Sequence, residues 1–139
     1  MRLLLVLFTL LCLAAGPAKA APVRVVIDLS SQKMDVSIDG TREFEWVIST
    51  GRKGYSTPKG TYHPQRMYEK YRSRKYDNAP MPWSIFFYRG YAIHGTTEIR
   101  NLGKPASHGC VRLHPDNAQI LFKLVKASSM ADTTIVVRD

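Results

Sequence analysis

Cysteine is nearly absent from this chain: its 139 residues include two, Cys12 and Cys110. Cys12 lies inside an N-terminal apolar run, so a chain that loses this run keeps one thiol and cannot form an internal disulfide. Acidic residues are also few, 11 against 20 Lys and Arg, and the formal net charge is +9. Such a surface favours anionic partners. The apolar run, residues 3–15, is shorter than the roughly 20 residues a membrane span needs. Neither Cys-x-x-Cys nor His-x-x-x-His occurs, so a metal-binding module built from His94, His108, Cys110 and His114 lacks paired ligand spacing. No internal repeat or low-complexity segment is present.

The N-terminal run follows Met1-Arg2 and leads into Gly16-Pro17-Ala18-Lys19-Ala20, an ending that suits signal peptidase. A signal peptide over residues 1–20, cleaved after Ala20, is therefore expected; an uncleaved anchor is the rival. A lipoprotein is disfavoured because Leu11, not a small residue, precedes Cys12. The remaining 119 residues, 21–139, suffice for one compact domain and carry +7 once Arg2 and Lys19 are removed. Outside the cytoplasm, that charge suits wall carboxylates, phosphorylated wall polymers or lipid head groups better than nucleic acid.

Residues 23–29 are rich in β-branched side chains and predict a strand. Residues 33–38 and 43–48 alternate polar and apolar around Asp39-Gly40, a hairpin turn signal, so the domain opens as a β-meander. Residues 80–95, apolar and aromatic, predict two strands joined near Arg89-Gly90, with His94 at a strand end. Residues 115–127 place Ala118, Leu121, Phe122, Leu124 and Val125 on one helical face, with Asp116 or Asn117 as the expected cap. Residues 133–137 read as a closing strand. The expected fold class is mostly β with at least one helix.

Between these elements, residues 49–62 hold Gly51, Gly54, Thr57, Pro58 and Gly60, a composition that alone says loop. Residues 65–77 interleave Arg66, Lys70, Arg72, Arg74 and Lys75 with Tyr68, Tyr71 and Tyr76. That pattern can bind single-stranded nucleic acid, but export argues against it and a solvated loop is the plainer reading. His63 carries no expected role.

Chemistry concentrates between Ala92 and Leu113. An unpaired thiol in an oxidising compartment is a liability, so Cys110 is better explained by reactivity than by packing. His108 lies two residues before it and His94 sixteen before. A nearby imidazole or aimed N–H groups can lower a thiol pKa from about 8.5 and supply a usable nucleophile. Gly109 permits a tight turn that would aim the N–H groups of Gly109 and Cys110 at one point, forming an oxyanion hole.

His94-Gly95, a polar loop, then Ser107-His108-Gly109-Cys110-Val111-Arg112 resembles the signature of the L,D-transpeptidase family, the YkuD-type catalytic domain of bacterial cell-wall enzymes. Ser49-Thr50-Gly51 followed by Thr57-Pro58-Lys59-Gly60 resembles a second stretch of that family, near its catalytic groove. The resemblance runs over nearly all of residues 23–139 and implies a YkuD-like β-sandwich catalytic domain without a cofactor or metal. It implies that Cys110 attacks an amide of a peptidoglycan tetrapeptide stem, between the L-centre of diaminopimelate and D-Ala. His94 would be the general base and acid, oriented by the Gly95 carbonyl. His108 and the turn at Gly109-Cys110 would assist the oxyanion, and Ser107 would shape that turn. Arg112 would contact a substrate carboxylate or form a structural ion pair, while Trp83, Tyr88 or Tyr91 would wall the groove.

The implied acceptor is a stem amine, the lysine of a wall-linked protein, a free D-amino acid or water. An L,D-carboxypeptidase, or an amidase releasing wall-linked protein, is the alternative enzyme, and a wall-binding scaffold with an inert thiol is the alternative without catalysis. If residues 66–76 overhang the groove, Arg72, Arg74 and Lys75 would hold an acidic acceptor stem. The expected location is the periplasm or cell-wall space of a bacterium.

Overall fold

A computed structural model describes residues 16–139 of the protein. The expected signal segment lies outside the described residues over positions 1–15, Cys12 included.

The β-branched N-terminal segment forms β1 (Val23–Asp28), followed by β2 (Lys33–Ile38) and β3 (Thr41–Val47). Asp39 and Gly40 both take positive φ, 49° and 80°, which suits the tight turn between β2 and β3. Two short strands follow, β4 (Gly60–Tyr62) and β5 (Arg66–Tyr68), where the sequence reads as loop. Then come the hairpin β6 (Ser84–Tyr88) and β7 (Tyr91–Gly95), the short β8 (Val111–Leu113), helix α1 (Pro115–Ser128) and β9 (Thr133–Arg138).

Among the described residues the strands form two sheets, ordered β3-β2-β1-β9-β4 and β5-β6-β7-β8. The meander is antiparallel, whereas β9 returns parallel to β1 with Val25 opposite Ile135. The inward faces share one core: Val25 and Ile27 of β1, Met34 and Val36 of β2, Ile85 and Phe87 of β6, Ile93 of β7 and Leu113 of β8. Helix α1 adds Ala118, Leu121, Phe122 and Val125 and packs against β7, β6 and β1. The β6 run Ile85-Phe86-Phe87 is buried on both faces. Phe86 turns away from the main core to meet Met81, Ala92, Tyr71 and Cys110 in a smaller cluster.

The cap of α1 differs from expectation. His114 Nδ1 accepts the Asp116 N–H at 3.2 Å, and Pro115 occupies the first helical position. A fixed φ suits Pro there and its missing N–H costs nothing. Asp116 instead places its charge in the first turn, where it complements the helix dipole.

Leu121 is fully buried, while its neighbour Ile120 is 38% exposed. Leu121→Ala is expected to cost about 2–5 kcal/mol of unfolding free energy, and Ile120→Ala about 1 kcal/mol or less. Urea denaturation of both variants checks the difference; equal losses would mean that α1 does not present this face to the core.

Candidate active site

Two parallel strands bring the chemistry together. In the β7–β8 ladder, Ile93 faces Val111 and His94 faces Arg112. Side chains alternate along a strand, so Ile93 and Val111 enter the core while His94 and Arg112 share the opposite face. Cys110, one residue before β8, sits on the same side, beside Ala92 and the turn between β6 and β7. Its sulfur lies 3.9 Å from the Gly90 carbonyl. Cys110, His94, His108, Arg112 and Tyr91 line a groove of about 300 Å³, closed on its other side by residues of the 73–81 segment.

The turn that carries Cys110 is held from within and from afar. Ser107, buried, donates its hydroxyl to the Cys110 carbonyl at 2.6 Å and accepts the Gly109 N–H at 3.0 Å. Thr57 donates to the Gly109 carbonyl at 2.8 Å and accepts the Gly51 N–H at 3.0 Å. The Ser49–Gly51 stretch pairs with Arg112 and Ser107 through isolated bridges. Thus the Thr57-Pro58-Lys59-Gly60 stretch braces the turn. Gly109 has φ 118°, and a Cβ there would lie 2.6 Å from the Tyr91 ring, so no side chain fits. The expectation that Gly109 and Cys110 both aim N–H groups at an oxyanion needs correction: the Gly109 N–H is spent on Ser107. Cys110 supplies the remaining donor of that pair.

His94 is buried, and its Nδ1 lies 2.7 Å from the Gly95 carbonyl. A carbonyl only accepts, so this bond places the proton on Nδ1 and leaves the Nε2 lone pair free. Gly95 is itself fixed, donating its N–H to the Pro82 carbonyl at 2.8 Å. Burial lowers the His94 pKa to about 4; the Gly95 bond opposes this shift and the Arg112 charge adds to it. Burial pushes the Cys110 thiol up, against the opposing Ala92 backbone hydrogen bond and the Arg112 charge. The resting pair is therefore neutral thiol and neutral imidazole. This direction is opposite to the low thiol pKa expected from sequence, because desolvation penalises the thiolate more than its neighbours favour it.

His108 stacks face to face on Tyr76, centroids 4.1 Å apart, and meets Tyr55 edge-on at 4.9 Å. Desolvation, then the charges of Arg52, Arg112 and Lys75, lower its pKa. Arg112, 17% exposed, has its guanidinium 3.4 Å from the Glu98 carboxylate. The ion pair expected as one reading of Arg112 is present, and the residue also lines the groove. Trp83 does not wall the groove. It adopts φ 57° at the turn before β6 and packs edge-on against Phe122 of α1, 5.4 Å away. Tyr91 does line the groove, while Tyr88 packs with Tyr62 against the core.

The 66–76 segment overhangs the groove through Ser73, Lys75 and Tyr76, but Arg72 and Arg74 do not line it. Arg72 instead donates to the Asn78 carbonyl at 3.1 Å. Sequence reasoning missed Thr57 as the brace, Tyr76 as the partner of His108, and Glu98 in the groove. The contacts of Thr57 with Gly109 and of Tyr76 with His108 span 52 and 32 positions, and no local spacing signals them. His63 bonds the Thr133 carbonyl through Nδ1 at 2.7 Å, away from the groove.

With this geometry in place, comparison with known proteins is decisive. Residues 22–137 match the YkuD model, the L,D-transpeptidase catalytic domain. The chain belongs to that family. YqjB of Bacillus subtilis (strain 168), grouped with the L,D-transpeptidases, is 27% identical over 114 residues, 73% of this chain and 65% of its own length. An L,D-transpeptidase from Stackebrandtia nassauensis is 30% identical with a TM-score of 0.74, covering 85% of this chain and 56% of that one. L,D-transpeptidase 3 from Mycobacterium tuberculosis, solved with a faropenem-derived adduct, is 22% identical with a TM-score of 0.74, covering 86% of this chain and 61% of that one, and shares the fold. The family domain therefore accounts for most of this chain but for less than two thirds of these relatives.

Two measurements test the electrostatics. Alkylation of Cys110 should keep accelerating as pH rises beyond about 8.5, the reference thiol value; a plateau near neutrality would reveal a preformed thiolate. Because the folded state holds His94 at about 4 against 6.5 for the free side chain, unfolding releases a site that binds a proton more readily. The His94 contribution to stability is complete above pH 6.5 and is lost as pH falls towards 4, roughly 3 kcal/mol in all. Denaturation of the wild type and His94→Gln over this range should show a shallower acid slope in the variant.

Proposed function

We propose that the protein is an exported cysteine acyltransferase that performs L,D-transpeptidation on peptidoglycan tetrapeptide stems through a thioester at Cys110. The observation that carries this reading is that Cys110 and a buried His94, whose Nδ1 is bonded to the Gly95 carbonyl and whose Nε2 is thereby left as an acceptor, line one groove. The family membership supports the same chemistry. Carried over as proposals, the signal peptide over residues 1–20 directs export, and the protein works in the periplasm or cell-wall space.

The neutral resting pair makes His94 a general base rather than half of a standing ion pair. As the thiol attacks the stem carbonyl, its proton passes to His94 Nε2 and a C–S bond forms. The imidazolium then protonates the departing D-Ala nitrogen as the C–N bond breaks. Between these events negative charge collects on the carbonyl oxygen, where the Cys110 N–H and the His108 side of the turn stabilise it. Acceptor amine then attacks the thioester, gives its proton to His94, and expels the Cys110 sulfur, which takes that proton back. No cofactor enters this scheme.

Transfer rather than hydrolysis is favoured by the roof of the groove. Tyr76 and Lys75 restrict the approach of bulk water, and alignment of a bound amine can match an effective concentration of about 10⁵ M or more. Since Lys75 alone of the expected cationic trio lines the groove, it is the residue proposed to contact a stem carboxylate.

His94→Ala should lower the acylation rate by roughly two to four orders of magnitude, with a smaller loss for His108→Ala. Incubation with purified tetrapeptide, followed by mass analysis of the intact protein and of every product, checks both variants. A greater loss at His108 would exchange the two roles. Cross-linked product should exceed tripeptide in the wild type, and Lys75→Gln should shift the balance towards tripeptide. Tripeptide alone, over a range of acceptor concentrations, would make the protein an L,D-carboxypeptidase.

A further inference from the structure

Glu98 is the only carboxylate among the residues lining the groove, whose other charged side chains, Lys75 and Arg112, are cationic. It follows His94 along the same wall, separated by Gly95, Thr96 and Thr97. Its backbone is anchored: the Glu98 N–H donates to Thr96 Oγ1 at 3.0 Å, and its carbonyl accepts the Asn101 N–H at 3.0 Å. Both protein partners of its carboxylate use one oxygen. Asn101 Nδ2 donates to Oε2 at 2.8 Å and Arg112 reaches it at 3.4 Å. Oε1 accepts no hydrogen bond among the described residues, and the side chain is 54% exposed.

We propose that Glu98 is a positioning residue for the acceptor, holding the incoming ammonium group beside the Cys110 thioester. This inference rests on the acyl-transfer reading above. The nucleophile of the second half-reaction must surrender a proton to His94, so it approaches along the wall that carries His94. An amine of the lysine type is protonated in neutral water, with a pKa of about 10. A carboxylate with one free oxygen attracts that cation through a charge-assisted hydrogen bond. A cationic groove without Glu98 would repel it.

The bound ammonium first releases one proton to solvent. Its nitrogen then attacks the thioester carbonyl, the C–N bond forms, and the C–S bond breaks. The second proton travels through His94 Nε2 to the Cys110 sulfur. Glu98 takes no part in these bonds. Its effect therefore lies in how often a positioned amine meets the thioester before water does.

The test measures partitioning after the thioester has formed, which is independent of how fast it forms. Isotope-labelled tetrapeptide serves as donor, with either stem tripeptide or hydroxylamine as acceptor; hydroxylamine is uncharged at neutral pH. Glu98→Gln keeps an oxygen for Asn101 and Arg112. It should lower the ratio of cross-linked to hydrolysed product about tenfold with tripeptide, a loss comparable to one charge-assisted hydrogen bond. The hydroxamate ratio should stay close to wild type. Asn101→Ala, which removes the neighbouring bond while keeping the charge, should change neither ratio appreciably. An equal fall with both acceptors would show that Glu98 acts through Arg112 or the turn and would overturn the proposal. An unchanged tripeptide ratio, with thioester visible by intact mass, would overturn it while leaving the acyl-transfer reading intact. Absence of the thioester in the wild-type protein would overturn both.

Discussion

The parallel pairing of β7 with β8 is the constraint on which the site depends. One register places Ile93, Val111 and Leu113 in the core and sends His94 and Arg112 to the groove. A slip of β8 by one residue would expose Val111 and Leu113 and bury Arg112. The alignment of the groove residues is therefore protected by the hydrophobic core. The bridges from Ser49 to Arg112 and from Gly51 to Ser107 extend that protection into the loop before β8. The glycine-rich 49–62 stretch acts as an outer brace, and Thr57 transmits it to the turn through one buried hydroxyl.

Electrostatics and packing oppose each other at the centre. Arg112 favours a thiolate, but the smaller apolar cluster of Met81, Phe86 and Ala92 packs against Cys110 and favours the thiol. For His94, burial and Arg112 act together against the charged ring, while the Gly95 carbonyl resists them. The result separates positioning from activation. Backbone carbonyls lie against both side chains, and in the proposed mechanism the arriving carbonyl supplies the reason for the proton to move.

Much of this was legible in the residues. The meander and the helix followed from periodicity, because each has one face whose chemistry differs from the other, and the β6–β7 hairpin followed from an apolar, aromatic run broken at Arg89-Gly90. The short strands β4, β5 and β8 were not legible, since three residues cannot establish a period. Cys110, His94 and Ser107 were found through their local pattern. The thiol's protonation was misjudged because neighbours in sequence reveal nearby charges but not the water excluded by distant ones. Trp83 was misplaced for a related reason: its left-handed backbone conformation turns the ring towards Phe122, and an aromatic run does not disclose that turn.

The neutral state of the thiol has a consequence for endurance. Peroxides and disulfides attack thiolates far faster than thiols, and the path from sulfenic to sulfonic acid ends in permanent loss of a nucleophile. A cysteine stored as S–H, half-buried against Phe86, Ala92 and the β6–β7 turn, presents little to such oxidants. In the proposed reaction its nucleophilicity emerges only when a carbonyl lies against it and His94 can take the proton. Longevity and reactivity are thereby assigned to different moments, and among the described residues no second thiol stands by to resolve an oxidised Cys110.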